Sequence, residues 1–87
     1  MNLTTEPFIS GQYYYVESSE LKYIMLYNEK NTCSYIHLND STFYFLSGYF
    51  DINWPHRIAT NEEREHLDAC IKAGKYVTSP KFNYQIW

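Results

Sequence analysis

The sequence predicts an α+β domain: a small antiparallel sheet of four to five strands, curled toward a barrel and closed by one C-terminal helix. Three observations carry that expectation. Short runs of β-favouring residues are separated by polar breaks at nearly regular spacing, as in a meander. The segment Thr60-Asn61-Glu62-Glu63 has the signature of a helix cap, and apolar residues at helical spacing follow it. A length of 87 residues suffices for one core, so residues 1–87 are read as a single domain.

The first strand is expected at Tyr13-Tyr14-Tyr15-Val16, entered through Gly11 and ended by Glu17-Ser18-Ser19-Glu20. Leu21 to Tyr27 forms a second run, with Tyr23, Met25 and Tyr27 on one face and Ile24 and Leu26 on the other. Asn28-Glu29-Lys30-Asn31 turns into a third strand from Cys33 to Leu38. Asn39-Asp40-Ser41 turns into a fourth from Thr42 to Leu46. Strands this short and evenly spaced fit a barrel of SH3-like kind. Tyr49 to Ile52 can extend the fourth strand past a bulge at Gly48. Pro55 keeps Asn53-Trp54-Pro55-His56 out of a central strand.

The helix is expected from about Asn61 to Ala73. Thr60 and Glu63 cap it, the acidic residues Glu62, Glu63 and Glu65 suit the positive end of its dipole, and Gly74 stops it. Leu67, Cys70 and Ile71 make its narrow apolar stripe. Tyr76-Val77 offers one more short strand, and Phe82, Tyr84, Ile86 and Trp87 read as a closing edge strand or an aromatic tail.

Ten Tyr, five Phe and two Trp supply the bulk a small core needs, since a buried aromatic removes roughly 150–250 Å² from water. A net charge of −3, with seven basic residues dispersed along the chain, disfavours direct nucleic-acid binding. Two cysteines are too few for a disulfide-built secreted domain, and the N-terminus has neither the basic start nor the apolar stretch of a signal peptide. No apolar run approaches the ~20 residues that span a bilayer. The expected location is the cytoplasm, with Cys33 and Cys70 reduced and packed.

Chemistry finds little support. His37, His56 and His66 with the two cysteines form no C-x-x-C or H-x-x-x-H pair, and Cys33 and His37 on a strand lie about 13 Å apart. No metal, cofactor or catalytic residue is therefore expected. There is no G-x-S-x-G and no glycine-rich phosphate loop, and Cys70 fits the helix's apolar stripe. Capping, dipole and solubility account for Glu62, Glu63, Glu65 and Asp68. The chain is expected not to be an enzyme.

The aromatic surplus points to recognition instead. Three consecutive tyrosines on a strand cannot all face one core, and outward Tyr is common on binding surfaces. Core packing covers most of the rings. The candidate partner face is Tyr13, Tyr15, Tyr23, Tyr27 and Tyr35. Trp54 and Arg57 are a second candidate, because both residue types recur at binding hot spots; the plain alternative is a loop tucked against the helix start. The same rings could stack the bases of single-stranded RNA, but without basic surroundings a protein partner fits better.

Arg57-Ile58-Ala59-Thr60-Asn61-Glu62-Glu63, with Leu67 and Gly74-Lys75-Tyr76, resembles the end of short proteins from phages and mobile elements of Bacteroidota-like hosts. Phe8-Ile9-Ser10-Gly11 is similar to the F-x-x-G before their first strand. The Tyr-rich strands and Cys70 depart from that pattern. The resemblance implies a small barrel with a closing helix. By analogy it also implies an anti-CRISPR-like inhibitor, a monomer or homodimer, that blocks or remodels an RNA-guided nuclease of the host. A type VI enzyme is among the targets this admits.

Overall fold

The computed structural model describes residues 3–29, 32–48 and 50–78. Its elements follow the polar breaks: β1 (Tyr13–Ser18), β2 (Leu21–Tyr27), β3 (Cys33–His37), β4 (Thr42–Ser47), β5 (His56–Ile58) and α1 (Asn61–Ala73). The strands form one antiparallel sheet in the order β4-β3-β2-β1-β5. β4 and β5 stand at opposite ends and share no pairing, so among the described residues the sheet is not closed into a barrel. Each face is buried by a separate layer, and closure is not needed to hide it.

Register decides what each layer covers. Only Ser19 and Glu20 lie between β1 and β2, and Tyr13 pairs with Leu26, Tyr14 with Met25 and Tyr15 with Ile24. Odd positions of β1 therefore share a face with even positions of β2. On one face Ile24, Ile36, Leu67 and Cys70 make a core under α1, joined by Tyr13, Leu26, Leu38, Phe43 and Ile71. On the other, Tyr14, Val16, Tyr23, Met25, Cys33 and Tyr35 pack beneath Phe8, Phe50 and Trp54. The two cysteines are buried, free and in different cores. Burial pushes the Cys33 thiol up to about 12, which keeps it protonated and unreactive.

The second layer comes from outside the strands. Thr4 exchanges two backbone hydrogen bonds of 2.8 Å with His56. Gly11 N–H donates to Tyr27 O, and Ile9 N–H donates to the Tyr14 hydroxyl. These bonds hold Phe8 against His56, Tyr14, Tyr27 and Phe50, with ring centroids 4.2–6.2 Å apart. Trp54 stacks on Tyr23 at 4.8 Å. It therefore covers the face opposite the helix and is not tucked against the helix start.

α1 has the expected bounds. Glu63 N–H donates to the Thr60 hydroxyl, Thr60 N–H donates to the Glu63 carboxylate, and Gly74 closes the helix in the left-handed region at φ 72°. Residues 76–77 are not a strand. They run beside the helix: His66 Nε2 donates to Val77 O at 2.8 Å, Cys70 Sγ meets Val77 N and O, and Tyr76 hydrogen-bonds with Ser41. The bulge lies at Phe45 and Leu46, between the pairs Tyr35–Tyr44 and Cys33–Ser47, earlier than the expected Gly48. Residues 50–52 are not strand, and the expectations for Tyr49 and for Phe82 to Trp87 lie outside the described residues.

Burial holds the His66 imidazole below its ordinary pKa, and the Val77 carbonyl only partly offsets that. The unfolded chain therefore binds more protons than the native state below about pH 6.5. Stability should be full above that value and decline as pH falls toward the native pKa. Thermal melts between about pH 7.5 and 5 should show the decline, and His66→Gln should flatten it. Equal slopes for the two proteins would remove His66 from this account.

Candidate interaction site

The seven sequence-derived candidates do not form one exposed face. Tyr15, Tyr23 and Tyr35 are buried, at 4, 7 and 6 % exposure. Tyr13, Tyr27, Trp54 and Arg57 are half-buried. Tyr13 and Tyr15 lie on the helix face, while Tyr23, Tyr27 and Tyr35 lie on the other. The outward tyrosine face is thus corrected. The two-layer arrangement gives both sides of the sheet a core, so consecutive tyrosines can all be enclosed.

The polar tips of these rings are used internally. The Tyr13 hydroxyl donates to Asp68 and its ring lies under Arg64; burial, with Asp68 next, pushes this phenol up to about 12. The Tyr15 hydroxyl donates to Glu17 at 2.9 Å, and the Arg57 guanidinium lies 4.2 Å from its ring centre. Tyr23 meets Tyr35, His37 and Trp54. Tyr27 stacks on Phe8.

Arg57 is likewise committed. Its two terminal nitrogens donate to the two Glu63 oxygens at 2.8 and 2.9 Å, a bidentate pair with little solvent exposure. Glu63 also accepts from Thr60 N–H, and Ala59 is buried. The R-x-A-T-x-E-E pattern is accounted for by the entrance to α1: Arg57, Ala59, Thr60 and Glu63 join the sheet to the helix.

The exposed apolar residues lie elsewhere. Tyr44, Phe45 and Leu46 are 43, 60 and 50 % exposed, consecutive, and on β4, where no strand pairs with the outer edge among the described residues. Tyr44 stacks on Tyr35 at 4.8 Å on the open face. Phe45 lies 6.3 Å from Phe43, which joins the helix-side core. Leu46 sits at φ 49°, a conformation that side chains with a Cβ rarely adopt, and its N–H donates to the buried Ser34 hydroxyl. Ser34 thus anchors the bulge at Phe45 and Leu46, two of the three exposed apolar residues of this row. The sequence carried a signal for this row: Phe43-Tyr44-Phe45-Leu46 has no polar alternation in the last strand of the meander.

The opposite edge is different. Thr4 bridges to His56 and occupies the outer side of β5, with Ile9 and Ile58 exposed around a cleft that Glu6, Pro7 and Arg57 also line. Among the described residues no three His, Cys, Asp or Glu side chains gather as for a metal, and no helix is long and apolar enough to cross a membrane. Comparison with known protein families, curated proteins and solved structures finds no match to this chain.

Proposed function

We propose that this chain is a non-enzymatic binding protein that engages a cytoplasmic host protein through the outer edge of β4. The biological setting is the one its resemblance implies, an anti-defence inhibitor of an RNA-guided nuclease. The observation that supports binding is the exposed row of Tyr44, Phe45 and Leu46, with Leu46 held in a strained backbone conformation. A residue with a Cβ in the left-handed region costs roughly 1–2 kcal/mol, and half-exposed Leu46 recovers only part of that by burial. Strain of this kind gathers at binding surfaces. The net charge of −3 favours a partner with a basic surface, such as a nucleic-acid channel.

The test separates stability from binding. Leu46→Gly relieves the backbone and should stabilise the fold by about 1 kcal/mol, raising Tm by roughly 4–8 °C. In a reconstituted type VI nuclease assay, the wild type should suppress RNA cleavage, and both Leu46→Gly and Phe45→Lys should inhibit at least about tenfold less. No inhibition by wild type would discard that target. Inhibition unchanged in both variants would discard the β4 edge. Electrophoretic shifts at two salt concentrations address the nucleic-acid alternative. RNA binding that collapses at high salt would revive it, although Tyr15, Tyr23 and Tyr35 have no free face on which to stack a base.

A further inference from the structure

We infer that the outer edge of β4 also pairs with a second copy of this chain, in a weak antiparallel dimer about a two-fold axis. The inference rests on reading that edge as a binding surface. Its first support is electrostatic. Thr42–Ser47 has no charged side chain, whereas exposed sheet edges are commonly guarded by Lys, Pro or an inward charge. Two copies, each of net charge −3, can therefore approach along this strand without like charges meeting in the ladder.

The second support is self-complementarity. Antiparallel pairing centred on Tyr44 sets Tyr44 opposite its counterpart and Phe43 opposite Phe45 of the other copy, twice. Phe43 and Phe45 sit together on the helix side, and Tyr44 continues the Tyr35 stack on the other, so the three central facing pairs are aromatic, each with both rings on one side of the sheet. The axis stands perpendicular to the sheet, which places both α1 helices on the same side of ten continuous strands. A slip of one residue would set helix-side rings against open-face ones; pairing with β3 shifts at the bulge of Phe45 and Leu46, and Leu46 leaves extended backbone just beyond Phe45. The far edge does not compete, because Thr4 already bridges to His56 there.

The contact is small. Three part-exposed side chains per copy fall well short of the ~800 Å² each partner contributes to a standard interface. The dimer is accordingly transient, and a larger partner at the same edge displaces it.

Sedimentation should give the 10.5 kDa monomer at about 10 µM and a rising average mass by about 1 mM. Phe45→Lys should remain monomeric throughout, while Ile52→Lys, exposed on a loop, should associate like the wild type. Hydrogen exchange on the wild type needs no variant: outer-edge amides of β4 should gain protection as concentration rises. Protection already complete at low concentration means that the chain fills its own edge, and protection only on adding a partner reserves it for that partner. Either result overturns the dimer, as does a wild type that stays monomeric at 1 mM. Inhibition by a strictly monomeric wild type would overturn the dimer alone. Phe45→Lys and Leu46→Gly variants that both inhibit fully, with Phe45→Lys monomeric throughout, would overturn the partner site alone.

Discussion

Glu63→Ala is expected to destabilise the domain by about 3 kcal/mol and to lower Tm by roughly 12–24 °C. One buried carboxylate serves two junctions. It pairs both terminal nitrogens of Arg57, the residue that carries β5 toward the helix, and it closes the reciprocal cap with Thr60. Removing it strands a guanidinium with little solvent access and leaves the Thr60 amide without its carboxylate. Glu62→Ala is the control, because that side chain is exposed and contributes mainly through the helix dipole, roughly 0.3–1 kcal/mol. Similar melting shifts for the two variants would show that the Arg57–Glu63 pair does not join sheet to helix.

Tyr23→Ala is expected to cost about 3–4 kcal/mol, a large part of the stability of a domain this size. Tyr23 is 7 % exposed and meets Tyr35, His37 and Trp54, so its loss opens a cavity in the middle of the layer facing away from the helix. Tyr23→Phe keeps the ring and should stay much closer to the wild type. Tyr44→Ala, which removes a ring already 43 % exposed, should cost no more than about 1 kcal/mol. If chemical denaturation finds Tyr23→Ala and Tyr44→Ala alike, the assignment of Tyr23 to the core is wrong.

These two residues mark where sequence reading succeeds and where it stops. Glu63 was legible because a capping box is local: Thr60 and its third neighbour interact whatever the rest of the chain does. The polar breaks behave similarly, and Ser19, Ser41 and Gly74 occupy positive-φ positions at element ends. β5 was not legible. Three residues after Pro55 carry no periodicity, and only pairing with β1 makes them a strand. The tyrosines failed for a non-local reason. Tyr13, Tyr15 and Tyr23 look alike in sequence, but the two-residue connection between β1 and β2 offsets the parity of the partners and divides them between faces.

The sequence by itself determined the elements and the material of the core: four strands from β-favouring runs, a capped helix of 13 residues, and enough rings to fill a small interior. Only the tertiary structure decided which surfaces stay wet. Phe8, Phe50 and Trp54 come from outside the strands and bury the face that α1 leaves open, while β4, last in the sheet order, keeps Tyr44, Phe45 and Leu46 in solvent. Exposure depends on what arrives from distant parts of the chain, and local propensity carries no information about that arrival.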